Sequence, residues 1–479
     1  MKRYSFFFLL IFCLVPLHGV LASPWDDMTQ LANSIKHTSF PDKTFNIVKF
    51  GARENNSSIK NTKAINAAIT ACNKKGGGVV LVPKGSFLTG PITLQSNVNL
   101  HLVAGAVLRF STDPSEYLPT VITRWEGSDC MNYHPLIYAY KANNIAITGQ
   151  GKIDGQASEE NWWAWKKKSN AGYQQGVATP NMIGRLRLIK MNEDNVPVAQ
   201  REMGAGNYLR PQLINFMECN TVLIDSVKLR NSPFWVIHPL LSNDVIVSNV
   251  NIQSLGPNGD GCDPESCKNV LIQGCTFNEG DDCIAIKSGR NNDGRRWNIP
   301  SENIIVRDCQ MKAGHGGVSV GSEISGGYRN LYVDHCVMSS PDLGNIIRLK
   351  SNTCRGGLIE NVFVRDVKVG QCQEAVLKID LQYDPSEPAQ RGFIPMVRNV
   401  NMENVSCKKS TYGVSVDGLE DASRVSSIHL KNCDFRGVTS SGNDIKGATD
   451  VTFNNVRINN TIISSEQIST IYSPLQKGN

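Results

Sequence analysis

Asp260 and Asp282 are 22 residues apart, and Asp281 adjoins the second, in the stretches GPNGDGCDPES from Gly256 and NEGDDCIAIKSG from Asn278. Carboxylates brought into one place repel one another, which raises at least one pKa and keeps a proton on it at mildly acidic pH. A protonated carboxyl beside ionised ones suits inverting glycoside hydrolysis. One acid protonates the leaving oxygen, and a carboxylate far enough away holds a water against the anomeric carbon. Taken alone, Asp-Asp or Asn-Gly-Asp-Gly reads equally well as a turn or a calcium loop. The same stretch of chain continues with His315 in GHGGVSVGSE, 33 residues past Asp282, then Arg348 after another 33 with Lys350 beside it, then Tyr383 after 35 more. Singly, His315 reads as a turn histidine, and Arg348 and Lys350 as a solvated strand face. Together they place acid, imidazole, cations and phenol at regular intervals.

The elements that would bring these groups together show as a repeat. A phrase of Asn or Asp followed by alternating apolar residues begins at Asn143, Asn220, Asn243, Lys268, Glu302, Arg329, Glu360, Val397, Ser426 and Thr449. From Asn220 onward its spacing is about 23 to 38 residues, the window in which a period signals a solenoid. Within each phrase the apolar residues alternate over four or five positions, the period of a strand and too short for a helix. The spacing predicts an all-β chain of parallel coils stacked about 4.8 Å apart around one continuous core. Residues one coil apart then share a face, so Asp260 and Asp282 should stack. Cys275, Cys309, Cys336 and Cys433 occupy one place in their phrases and predict a column of small buried thiols. The phrase-initial Asn should stack at the corners, where left-handed backbone is tolerated.

Before the repeats, two segments read as helices: Asp27 to His37, and Thr62 to Cys72, which stops at Gly76-Gly77-Gly78 as a helix should. A helix there would cap the open solenoid end, otherwise a template for aggregation. From Gly155 to Pro211 the repeat disappears in favour of Trp162, Trp163, Trp165, the basic run Lys166 to Lys168, and Arg185, Arg187, Arg201 and Arg210. A loop this long is expected to be functional, its tryptophans stacking on sugars and its arginines neutralising a terminal carboxylate. NNDGRRWN, with Arg295, Arg296 and Trp297, could add anion-binding groups.

The first 22 residues combine two positive charges, an apolar run and small residues near Ala22, the anatomy of a secretory signal peptide cleaved after Ala22. The expected product is an exported protein, secreted or periplasmic, with no membrane span in the mature chain. Residues 23–44 would form a helical lead-in and residues 45–479 one catalytic β-helix carrying an inserted loop at about 155–211. The net charge of +6 falls to +4 without Lys2 and Arg3, too little to argue for nucleic acid and compatible with an acidic polymer. Removing Cys13 leaves 13 cysteines, so at least one thiol is unpaired.

Asn258-Gly259-Asp260, Gly280-Asp281-Asp282, Gly314-His315-Gly316 and Arg348-Leu349-Lys350 together resemble glycoside hydrolase family 28, the polygalacturonases, whose motifs are Asn-Thr-Asp, Gly-Asp-Asp, Gly-His-Gly and Arg-Ile-Lys in that order. The resemblance runs from about Phe45 to the last repeats and implies a right-handed parallel β-helix acting on pectin. It implies Asp281 as general acid, Asp260 and Asp282 as holders of the attacking water, and His315 as support for the acid. Arg348 and Lys350 would bind a galacturonate carboxylate with Tyr383 nearby. Gly259 for Thr and Leu349 for Ile read as tolerated packing changes. The inserted loop is similar to those of exo-acting, mostly bacterial members, so the expected activity is release of galacturonate by a monomer that needs no metal or cofactor. Alternatives are an endo-polygalacturonase, a rhamnogalacturonan-directed hydrolase, a calcium-dependent pectate lyase, and a non-catalytic glycan-binding β-helix.

Overall fold

In the computed structural model, which describes residues 23–166, 179–384, 386–440 and 442–463, each phrase is one strand of a thirteen-stranded sheet running from Thr44–Asn46 to Thr449–Asn454. The signal peptide expected at 1–22 lies outside the described residues, as do Lys167, Lys168 and residues 464–479. A second thirteen-stranded sheet forms the next face. The third face is divided into four strands ending at Ile237–Leu240 and six strands beginning at Ile284–Ile286. Within the first sheet pairing is parallel and in register: Val222, Val245, Val270, Ile304, Leu331, Val362, Val400, Ile428 and Val451 form one column through the core. Each member of that column is buried, and no coil could bury it without its neighbours.

The second residue of each phrase, or the third in the one from Val397, turns the corner with positive φ, from Asn144 through Asn269, Asn303, Asn330, Asn361 and Asn399 to Asp450. Asparagine is favoured there because its short amide tolerates the left-handed region. Successive amides then bond along the axis: Asn303 to Asn269 at 3.1 Å, Asn330 to Asn303 at 2.9 Å, Asn361 to Asn330 at 2.9 Å and Asn399 to Asn361 at 2.7 Å. Cys275, Cys309, Cys336 and Cys433 do form the expected buried column, and all 13 cysteines from Cys72 to Cys433 are unpaired and buried.

The two expected helices form as α1 (Pro24–Ser34) and α2 (Ser58–Lys74). Ser23 and Asp26 close a capping box on α1. Helix α2 sets Ile65, Ala68, Ile69 and Cys72 on one face against Val80 and Val98, so it plugs the first coil; each such isoleucine contributes roughly 1.5–3 kcal/mol. Helix α1 does something else: Met28, with Ile35 beyond its end, lies over Ile246, Leu271, Ile305 and Tyr332 on the outer face of the first sheet. The insertion is also more than a loop. It contains α3 (Pro180–Glu193), and NNDGRRWN contains α4 (Asn291–Trp297). Among the described residues no helix is long and apolar enough to cross a membrane.

Candidate active site

The coil that carries Asp260 joins the two parts of the third face through single bridges, Ile237 to Cys262 and Cys262 to Ile284. Asp260 and Asp282 stand two residues before that last pair, and Gly261 N–H bonds to the Asp282 carbonyl at 3.0 Å, so the expected stacking holds. Asp281 precedes the strand Ile284–Ile286, His315 lies in Gly314–Val320, Arg348 and Lys350 in Leu343–Lys350, and Tyr383 follows Ala375–Asp380. Ser319 is paired with Arg348, and Arg348 with Lys378. Parallel register thus turns sequence intervals of one coil into a single cluster. All seven predicted residues line one cavity of about 540 Å³.

Oxygens of Asp260, Asp281 and Asp282 all lie within 4.8 Å of one another, and their surroundings differ sharply. Asp282 is buried, accepting from Ser319 Oγ at 2.8 Å and Lys350 Nζ at 2.9 Å, with Arg348 at 4.0 Å. Burial works to raise its pKa, but Lys350, Arg348 and Lys287 outweigh burial and hold it at about 2. Asp260 is buried too, and burial, then Asp281, pushes its carboxyl well above the usual range, outweighing Lys287, at 3.7 Å, and the more weakly opposing Lys350. Asp281 is partly exposed and meets His315 Nδ1 at 2.8 Å. That bond keeps the largely exposed imidazole protonated to higher pH than usual. Gly316 is required here, since a Cβ would come within 2.2 Å of Ser319 Oγ and 2.8 Å of Asp282 Oδ1. Gly259 is likewise more than a tolerated change, because a Cβ would come within 2.4 Å of the Ser254 carbonyl.

A cation held by these three carboxylates would face Lys350 and Lys287 at the distances just given. Ammonium groups already supply the countercharge, which is poor ground for a calcium site built from oxygen ligands alone.

The insertion forms a wall at the N-terminal side of the cluster, in a different way from that expected. Trp162 is 1% exposed and packs on Tyr117, Tyr133 and Trp165. Trp163 bonds to the Ser232 carbonyl at 2.9 Å, and Trp165 packs on Tyr208. The tryptophans are therefore engaged in packing, and burial removes Trp162 from sugar stacking, while Trp163 and Trp165 are partly buried against the core. Arg201 pairs with buried Asp293, and Arg210 bonds to Asn258 Oδ1 at 2.8 Å, tying the insertion to the turn before Asp260. In α4 the arginines are structural as well: Arg295 stacks on Phe393, while Arg296 and Trp297 bond to Asp129. A small core of Trp125, Cys130, Leu188, Met203, Leu209, Phe234 and Trp235 fixes α3 against the catalytic coils.

From the insertion, Lys166 and Arg185 reach the cavity beside Glu126. Glu126 sits between Arg185 at 2.7 Å and Arg290 at 3.3 Å; burial opposes its charge, but Arg185, Arg290 and Lys166 hold it at about 2. Lys287, Arg290 and Glu323 complete a buried ion network that sequence reasoning missed. Lys287 stands in the quoted IAIKSG phrase, where its position in register beside Glu265 could have drawn attention; Glu126 carries no local signal at all.

The fold and the cluster together define a parallel β-helix glycoside hydrolase. The sequence profile of the glycosyl hydrolases family 28 matches residues 199–461, more than half of the chain, which belongs to that family. Over 91% of its length the chain is similar to the hyperthermoactive exopolygalacturonase from Thermotoga maritima, with 39% identity, a TM-score of 0.85 and 96% of that chain covered. It is 25% identical over 452 residues to the exo-poly-alpha-D-galacturonosidase of Dickeya chrysanthemi, covering 88% of this chain and 72% of the relative. The family 28 exopolygalacturonase of Yersinia enterocolitica shares the fold at 23% identity and a TM-score of 0.67, with 87% and 76% covered.

Proposed function

We propose that this chain is an exo-acting polygalacturonase that hydrolyses the α-1,4-galacturonosyl linkages of pectin with inversion and releases galacturonate. The observation that carries the reading is the split environment of the cluster. Asp281 is the reachable carboxyl and is bonded to His315, whereas Asp260 and Asp282 are buried behind it.

Asp281 gives its proton to the glycosidic oxygen as that bond breaks, and His315 restores it. A water between Asp260 and Asp282 attacks the anomeric carbon and leaves its proton on that pair. Arg348, over the Tyr383 ring at 5.5 Å, meets the carboxylate of a neighbouring unit. Lys350 mainly holds Asp282. The close approach of the carboxylates would by itself suit a retaining pair, for which about 5 Å is typical. Asp282, however, has both oxygens engaged and a strongly held charge, and Asp260 is enclosed, so neither is free to act as a nucleophile.

Lys166 and Arg185 at the N-terminal wall support an end-acting pocket, as do the exo-acting relatives. In the same reading the enzyme is exported and works as a monomer on pectic polymer. Family membership sets aside the lyase and the non-catalytic binder. Product analysis on polygalacturonate tests the proposal: galacturonate alone from the first time point is expected, and a ladder of oligomers would replace exo with endo action. Asp281→Asn should lower kcat about 10² to 10⁴-fold with its melting temperature nearly unchanged; more than a tenth of wild-type turnover would remove Asp281 from the acid's role.

A further inference from the structure

Asp263 follows Asp260 by three residues and faces the same buried place, with no solvent exposure. Neither of its oxygens is met by a hydrogen-bond donor among the described residues, and Oδ1 of Asp260 is in the same condition. The charged groups around Asp263 are Asp260, which its side chain touches at hydrogen-bonding distance, Lys287 and Asp282. Lys287 is the one cation among these three, and it is shared: Asp263 Oδ1 lies at 3.6 Å, Asp260 Oδ2 at 3.7 Å and Glu323 Oε2 at 3.3 Å. Glu323 has Arg290 as well, at 3.0 Å. Asp282 is saturated by Lys350 and Ser319. Asp260 and Asp263 are therefore two carboxyls in contact, enclosed, with part of one ammonium between them. Like charges so placed cannot both persist. A single proton between them supplies the donor that both lack and leaves the pair with one negative charge, opposite Lys287.

We propose that Asp263 is a positioning residue for hydrolysis, retaining one proton and donating it as a hydrogen bond to Asp260, so that Asp260 stays ionised and correctly oriented toward the attacking water. The proposal rests on the reading that Asp260 holds that water. Burial pushes both carboxyls of the pair well above the usual range, with the Asp281 charge adding to it at Asp260 and the Asp260 charge at Asp263, as one proton held between the two requires. The proton on Asp263 is not consumed: water's proton goes to Asp260 or Asp282 and then to solvent, and the bond from Asp263 lasts through the cycle.

Two measurements test this on the full-length enzyme. Infrared spectra at pH 6, about two units above the ordinary carboxyl range, should show an un-ionised buried carboxyl in the wild type that is lost in Asp263→Asn and kept in Asp282→Asn. In kinetics, Asp263→Asn, whose amide still donates to Asp260, should keep kcat within about threefold. Asp263→Leu should lose about 10- to 100-fold, the factor that one hydrogen bond to a charged group is worth, with KM little changed. Wild-type and Asp263→Asn spectra that coincide in the carboxyl region, or an asparagine variant as impaired as the leucine one, would overturn the proposal. If the leucine variant does not fold, the spectrum and the asparagine variant still decide it. Asp260→Asn separates the two levels: survival of hydrolysis in that variant defeats the water-holding role, whereas the spectral result reports on the shared proton alone.

Discussion

His315 Nδ1 lies 2.8 Å from Asp281 Oδ1 while most of the imidazole remains open to solvent, so the acid has a proton reservoir in contact with both itself and the bulk. The bond raises the pKa of His315, so the protonated form persists above the usual imidazole range and is lost as pH rises through the raised value. Hydrolysis should therefore decline on the alkaline side with His315. In His315→Ala the alkaline limb of the kcat profile should move to lower pH and the acidic limb should stay in place. An unmoved alkaline limb would detach His315 from proton supply.

Asp282 carries a pKa depressed to about 2 from an ordinary 3.8. A depressed carboxyl stabilises the fold above its unfolded value and loses that contribution as pH falls through the folded one. Between about pH 4 and pH 2 the wild type should lose roughly 2 kcal/mol from this group. Lys350→Met leaves the charge buried and without its main partner, which costs about 3–5 kcal/mol at neutral pH. Urea unfolding at pH 7 and pH 3 should show the variant destabilised at pH 7 and the gap narrowed at pH 3. A constant gap would place the effect in packing.

Arg348 is the better probe of carboxylate recognition, because Lys350 is committed to Asp282. A charge-assisted hydrogen bond contributes about 1.5–3 kcal/mol, so de-esterified polymer should be cleaved much faster than methyl-esterified pectin. Arg348→Gln should narrow that ratio about 10- to 100-fold in kcat/KM. Equal narrowing by Lys378→Gln would mean that the effect is general surface charge.

Lys166 and Arg185 are the insertion's described cations in the cavity. Arg185→Met leaves Glu126 paired with Arg290, so the wall should stand while its hold on a terminal carboxylate weakens. Products from polygalacturonate should then include dimers and trimers beside monomer, and KM should rise about tenfold or more. Deleting the insertion is a poorer test, because it would expose Phe234 and Trp235 on the catalytic coils. A variant that remains strictly monomer-producing at unchanged KM would remove Arg185 from end recognition.

Inversion can be read directly by proton NMR of the first product. With water as nucleophile the new reducing end should appear first as the β anomer and equilibrate later. An α anomer at early times would make one buried carboxylate a nucleophile and end the water-based mechanism.

Much of the fold is legible in the sequence because a solenoid repeats. The alternation from Asn220 onward defined strands, their spacing defined coils, and coil spacing alone aligned Asp260 with Asp282 and led on to His315 and Arg348. The insertion was legible as an interruption only. Its tryptophans look like sugar platforms in sequence, yet Trp162 and Trp165 are packed against Tyr133. A side chain's partners outside the repeat are set by contacts distant in sequence, such as Arg201 with Asp293 or Arg210 with Asn258, and no local pattern encodes them. The same holds for α1, whose amphipathic stretch announces a helix without saying which surface it covers.

By itself, then, the sequence determined the stacked coils, their register and the alignment of Asp260 with Asp282, His315 and Arg348, since each follows from periodicity along one chain. Only the tertiary structure decided how the charges are divided among nearly identical carboxyls. Asp282 has Lys350 and Ser319, Asp281 has His315 and solvent, and Asp260 has little besides Lys287 and Asp263. The physical reason is that a carboxyl's proton affinity depends on burial and on the charges within a few ångströms of it, and those neighbours come from coils up to 68 residues away.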